Sequence, residues 1–336
     1  MSSEAHSPGA RSAPPSARAG SGRLPDFFIV GHHKSGTTAM YSMLRGHPQI
    51  FMPEMKEPEF FGRDLSRRRA QAAAARSRGR ASYAQSRPQS YEEYLALFAA
   101  ARPEQRVGEA SPSYLGSPTA AGEIAELQPA ARIVAILREP ASFLHSLHLQ
   151  MLQNHVQDEV DLGRALAADE RRGEQAGSLY LARVRYVEQL RRYHEVFAPE
   201  QVLVLIYDDF RADNRGTVRR VLRLLDVDDA VAIEPVQANP TVAARSPALD
   251  RLVHAAKAGR GPVARTAKAV LPRRLRRRAV GSFQRNVVYG AAAAPDAATM
   301  RALRERCRGE VVALSEYLGR DLVALWGYDG IAADRR

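Results

Sequence analysis

Short apolar runs alternate with longer stretches of helical spacing along this chain. Residues 27–30, Arg132–Leu137 and 202–207 hold unbroken or nearly unbroken apolar segments of strand length. Strands that are apolar on both faces belong inside a sheet covered on both sides, which is the pattern of a parallel sheet. Between and after them, residues 39–44, 91–101, 183–197 and 300–318 place apolar side chains three and four apart, with Leu303, Val311, Leu314 and Leu318 along one side of the last. That spacing predicts amphipathic helices. The alternation predicts an α/β fold: a single domain with a parallel central sheet flanked by helices, over residues 25–336. Residues 1–24, rich in Ser, Ala, Gly, Pro and Arg and poor in aliphatic bulk, read as a disordered tail.

The chemistry sits where the strands end. After the first run comes Gly31-His32-His33-Lys34-Ser35-Gly36-Thr37-Thr38, a glycine-bounded turn with one lysine and several hydroxyls ahead of a helix. Backbone N–H groups of such a turn, with the positive end of the helix dipole, form a cradle for phosphate. Gly31 and Gly36 keep the spacing of the triphosphate loop GxxxxGK[ST], but Thr37 stands at the lysine position and Lys34 lies inside the loop. The second run ends in Arg138-Glu139-Pro140, followed by a helix from about Ser142, with Ser146 eight residues after the arginine. A guanidinium at a strand's carboxyl end grips phosphate with two parallel hydrogen bonds, and a serine two turns into the helix adds a hydroxyl from the same side.

Together these elements resemble the sulfotransferases that use 3′-phosphoadenosine 5′-phosphosulfate. KSGTT is similar to their 5′-phosphosulfate loop, and Arg138 with Ser146 to their 3′-phosphate element. Lys56-Glu57-Pro58-Glu59-Phe60-Phe61 resembles the KExxFF element of the bacterial and glycosaminoglycan-type branch, and Gly108-Glu109-Ala110-Ser111-Pro112-Ser113-Tyr114 its GExSPxY element. Residues 202–210, 239–241 and 317–322 follow in the family's order. The resemblance implies a P-loop NTPase-like sulfotransferase fold. It implies 3′-phosphoadenosine 5′-phosphosulfate as co-substrate and adenosine 3′,5′-bisphosphate as product, with the sulfuryl group passing to a hydroxyl or amine of a glycan, a glycolipid or a natural product. Lys34 would stabilise charge on the bridging oxygen, and Lys34, Ser35, Gly36, Thr37 and Thr38 would hold the 5′-phosphate. Arg138 and Ser146 would hold the 3′-phosphate, and Glu57 would act as general base. A Glu57 carboxyl raised in pKa by an apolar cleft beside Phe60 and Phe61 would suit that task; His33 is the second candidate base. Two positions depart from the family: Phe143 where an arginine is common, and Ala110 where a lysine is common.

A P-loop kinase or other magnesium-dependent nucleoside-triphosphate phosphotransferase is the alternative, since residues 203–208 form a strand that ends in an aspartate. A third reading is a non-enzymatic anion-binding protein built on a basic run. The formal net charge is +12. Much of it lies in 63–80 and 260–285; such runs steer anions or rest on an acidic membrane surface as a peripheral contact. No aromatic interleaving accompanies them, which opposes nucleic acid as a partner. No metal is expected, because no histidine has a cysteine or carboxylate partner at ligand spacing along the chain. His145, His148, His155, His194 and His254 fall on predicted helices and read as structural. A single cysteine, no glycosylation sequon and no apolar run of membrane-spanning length point to the cytoplasm.

Overall fold

The computed structural model describes residues 23–62, 64–65, 87–154, 156–172, 180–235, 242–244, 289–291 and 295–331. Residues 1–22 of the expected tail 1–24, nearly all of 63–80, the whole of 260–285, His155, His254 and 239–241 lie outside the described residues.

Five strands, β1 (Phe27–Gly31), β2 (Ile50–Phe51), β3 (Arg106–Ala110), β4 (Arg132–Leu137) and β5 (Val202–Ile206), form one parallel sheet in the order β2-β3-β1-β4-β5. β1 is central, with Gly31 opposite Ile136 of β4 and Phe27 opposite Gly108 of β3. This register brings the loops that follow β1, β3 and β4 to one end of the sheet.

Alternation along each strand divides the apolar residues between two layers. Phe27, Ile29, Val134, Ile136 and Leu205 pack on one face with α1 (Thr37–Arg45), where Met40 and Leu44 are fully buried. Phe28, Val30, Ile133, Ala135 and Leu137 pack on the other face. There they meet α2 (Tyr91–Ala96), α3 (Ala120–Leu127), α4 (Pro140–Gln153) and, beyond α5 (Leu162–Arg172), α6 (Tyr186–His194). After β5 come the short α7 (Tyr207–Ala212) and α8 (Asn214–Leu224), which returns to the α1 face through Val218, Val221 and Leu222. An antiparallel pair, β6 (Val242–Ala244) and β7 (Tyr289–Ala291), was not foreshadowed by the apolar pattern. The long α9 (Ala297–Leu318) ends on Gly319 in left-handed geometry, and α10 (Leu322–Trp326) follows. Leu303, Val311, Leu314, Leu322 and Trp326 join the core beside Phe28 and Ile133.

Two sequence boundaries move. Tyr207 opens α7 instead of closing β5, and α4 begins at Pro140, not near Ser142. Proline suits the first helical position, and the Glu139 side chain accepts the N–H groups of Ala141 and Ser142 as the cap. Tyr328 donates to that same carboxylate at 2.5 Å, so the C-terminal segment is pinned at the start of α4, next to Arg138. Among the described residues no helix is long and apolar enough to cross a membrane.

Candidate active site

The phosphate loop needs its two glycines for geometric reasons. Gly31 has φ +146°, and a Cβ there would lie 2.5 Å from the Ile136 carbonyl oxygen; Gly36 has φ +84°, and its Cβ would press on the Phe210 ring at 3.0 Å. Lys34, a non-glycine residue at φ 68°, turns the chain between them. Thr37 then starts α1, which leaves the first N–H groups of that helix facing the loop's concave side. Ser35 is fully buried, and its hydroxyl has no hydrogen-bond partner among the described residues. An orphaned buried hydroxyl at a helix N-terminus suits an incoming phosphate oxygen. Thr37 is buried as well, whereas Thr38 is exposed.

Arg138 joins this loop as the β1–β4 register requires. Its Nη1 donates to the Lys34 carbonyl at 2.9 Å, its guanidinium lies 5.1 Å from the Tyr207 ring centre, and Tyr186 donates to its own carbonyl at 2.9 Å. Burial, with the charge of Arg138 adding to it, lowers the Lys34 ammonium below the usual lysine value. Ser146 sits two turns along α4 on its buried side.

Phe143 clamps the loop. His32 lies between the rings of Phe143 and Tyr186, with both centres at 4.7 Å, and its Nε2 meets the Gln189 side-chain oxygen at 3.0 Å. Burial drives His32 down to about 3, against the raising effect of Gln189, so the ring is neutral at physiological pH. Gln189 also donates to the Ala182 carbonyl at 3.0 Å, which ties the turn Leu181–Val184 to the phosphate loop. That tie brings Arg183 beside His32 and His33, where its charge helps to lower both. Arg183 is thus a cation of the site that sequence reasoning missed, because only the fold joins α6 to this loop.

The acidic wall comes from the segment after β2. The Glu57 N–H donates to the Ala110 carbonyl at 3.0 Å, which lays this segment across the end of β3. Glu57 at φ 61° and Glu59 at φ 49° take left-handed geometry that non-glycine residues adopt only where surrounding contacts hold it. Lys56 donates to Glu57 at 2.5 Å, Arg87 pairs with Glu59, and Ser113 donates to Glu59 at 2.8 Å.

The expectation of a raised Glu57 pKa fails. Burial pushes that carboxyl up, but His33, Lys56 and Arg87 outweigh it and hold Glu57 below the ordinary carboxylate value. Phe60 stacks on Tyr94 at 4.5 Å, and Phe61 packs edge-on to Phe28 and Tyr114. Burial lowers His33 to about 4 in spite of the neighbouring Glu57.

The fold also gathers a group that chain spacing hid: ligating atoms of His33, Glu57 and Glu59 all lie within 4.8 Å of one another. Each carboxylate in it already faces a cation, so the group forms a charge-balanced network with little excess field for a divalent ion. Asp208, the candidate magnesium element of the kinase alternative, accepts from Trp326 at 2.9 Å, and Asp209 accepts from Nη1 and Nη2 of Arg320. Both carboxylates therefore serve the C-terminal seam. The structural reading of His148 and His194 agrees with their contacts, to Tyr180 and the Val160 carbonyl in one case and to Tyr317 in the other.

A profile of the sulfotransferase family matches residues 25–230 of this chain, the span that carries the phosphate loop, the acidic wall and Arg138. The chain belongs to the sulfotransferase family. Among curated relatives it is 24% identical over 224 residues to the bifunctional heparan sulfate N-deacetylase/N-sulfotransferase 1 of Caenorhabditis elegans, covering 64% of this chain and 24% of that protein. It is 25% identical over 256 residues to carbohydrate sulfotransferase 15 of Mus musculus, covering 61% of this chain and 44% of that protein. The chain thus spans between about a quarter and less than half of the length of these relatives. A solved sulfotransferase from Alicyclobacillus acidocaldarius superposes with a TM-score of 0.54 at 26% identity, covering 72% of this chain and 98% of that one.

Proposed function

We propose that this sulfotransferase moves a sulfuryl group from 3′-phosphoadenosine 5′-phosphosulfate to a hydroxyl or amine of a carbohydrate-bearing acceptor. The observation that carries the reading is the junction of Lys34 and Arg138. One loop offers backbone N–H groups, a buried orphan hydroxyl and a lysine, and the Lys34 carbonyl fixes a guanidinium beside it. Phosphate at two positions of one nucleotide needs two such points of attachment.

The donor supplies sulfur bonded to an oxygen of its 5′-phosphate; transfer breaks that bond and forms one from sulfur to the acceptor oxygen or nitrogen. Ser35, Thr37 and the N–H groups at the start of α1 hold the 5′-phosphate, and Arg138 with Ser146 holds the 3′-phosphate. Lys34, with its ammonium near the loop, stabilises the negative charge that grows on the leaving oxygen. Glu57 takes the acceptor proton. It is ionised at neutral pH, and Lys56 at 2.5 Å orients it. Lys56 and Arg87 hold it as a carboxylate, and His33, neutral at that pH, lies against it. The names of the relatives support a carbohydrate acceptor.

The test is transfer of labelled sulfate from the donor to a panel of glycosaminoglycan fragments, glycolipids and aryl alcohols. Wild type labels at least one glycan acceptor, while Lys34→Ala loses turnover with only a moderate change in donor affinity, because the lysine acts chiefly in the transition state. Wild-type rates in Lys34→Ala would remove the assignment.

A further inference from the structure

Behind the acidic wall lies a carboxyl that the steps above leave unused. Glu109, near the end of β3, is fully enclosed. Tyr94 of α2 donates to its Oε2 at 2.6 Å and Tyr114 at 3.3 Å, while Oε1 has no hydrogen-bond partner among the described residues. The groups that act on it are Ser111, Tyr94 and Tyr114, with Tyr193 of α6 also within its field. None of these carries charge at neutral pH. A carboxylate enclosed without a cation is costly, whereas a neutral carboxyl in the same place is not.

The same hydroxyls hold the segment that bears Glu57. Tyr114, which donates to Glu109, accepts the Phe61 N–H at 3.2 Å, and Ser111 accepts the Glu59 N–H at 3.2 Å. With the Glu57 N–H on the Ala110 carbonyl, three tethers fix the two left-handed residues Glu57 and Glu59. Three of the four residues that provide these tethers and their anchor, Glu109, Ala110 and Ser111, are consecutive at the end of β3.

We propose that Glu109 is a positioning residue: held as a neutral acid in the closed site, it fixes Tyr114 and through it the 57–61 turn that aims Glu57, and an opened turn that lets water reach the carboxyl favours its ionised form. The proposal rests on the reading of Glu57 as the acceptor-side base. Burial pushes the Glu109 carboxyl up to about 7. A solvated carboxyl in an opened turn returns to the ordinary value near 4.5. Between these values the closed form holds a proton that the open form releases. Opening therefore grows easier as pH rises through that window and levels off above it.

Amide hydrogen exchange on the full chain, corrected for intrinsic rates, tests this. In wild type, protection of the Glu57, Glu59 and Phe61 amides falls by up to about tenfold per pH unit between pH 5 and 7. Glu109→Gln copies the shape and hydrogen bonds of the neutral acid, so it keeps wild-type protection at pH 5 and holds it across the range. Tyr114→Phe leaves the ring in the core but removes the link to Phe61, and lowers protection of these amides by about tenfold at every pH. Calorimetric affinity for adenosine 3′,5′-bisphosphate stays unchanged in both variants, because the hydrogen bonds of Glu109 and Tyr114 run to Tyr94 and Phe61 and to no residue of the phosphate loop. A pH dependence that survives in Glu109→Gln, or a Tyr114→Phe loss spread equally over β1 and β4, would overturn the proposal. If wild type fails to bind the bisphosphate, the functional reading falls, and the exchange profile still decides the positioning role.

Discussion

Glu57 shows most clearly what one residue's surroundings do to its chemistry. Its lowered pKa keeps it a carboxylate at neutral pH, so in the proposed role of base it needs no activation by deprotonation. Glu57→Gln keeps size and hydrogen-bonding reach but cannot accept the proton. We expect the transfer rate to drop by about two to four orders of magnitude with donor affinity intact; a normal rate in Glu57→Gln with a lost rate in His33→Asn would move the role to the histidine. His32 gives a second prediction, on stability. Its folded value of about 3 lies below the unfolded value of 6.5, so in that window the unfolded chain binds a proton that the folded chain refuses. Stability is therefore complete above pH 6.5 and is lost as pH falls below it. His32→Phe keeps the ring between Phe143 and Tyr186, and its melting temperature should fall by several degrees less than that of wild type between pH 6.5 and 5. Equal slopes in thermal unfolding would contradict this. Lys34, Arg138 and Glu57 could be named as candidates from the sequence because local motifs mark them. The environment of Glu57 was not, since Arg87 and His33 reach it only through the fold. The raised carboxyl expected there is found one layer deeper, at Glu109.

At the scale of elements, β1 with α1 and β4 with α4 each form a strand, a turn and a helix whose opening residues face the same end of the sheet. The unbroken apolar runs made these strands readable, since residues buried on both faces carry no polar interruption. β2 could not be read: two residues are too short for any period, and its place is set by pairing with β3. Position 143 also needed the structure, because a phenylalanine in place of a cation makes sense only against His32. If β4 and α4 form the 3′-phosphate clamp, Arg138→Ala and Ser146→Ala will weaken binding of adenosine 3′,5′-bisphosphate far more than of adenosine 5′-monophosphate. We expect the arginine to cost about 10- to 100-fold, as for a charge-assisted pair, and the serine less. Equal losses for both nucleotides in calorimetry would make the pair structural.

In the molecule as a whole, segments far apart in sequence are drawn to the carboxyl ends of the strands. Tyr328 reaches the cap of α4, and Trp326 and Arg320 occupy Asp208 and Asp209. This closure engages the acids after β5 with Trp326 and Arg320, and in the proposed reading the nucleotide is met by Lys34, Arg138 and backbone N–H groups. The measurement that bears most directly on this account is calorimetric titration of the wild-type chain with adenosine 3′,5′-bisphosphate and, separately, with ATP and magnesium. The bisphosphate is expected to bind at least about a hundredfold more tightly and to raise the melting temperature as its concentration increases. Tighter binding of ATP with magnesium, or binding of neither nucleotide, would contradict it.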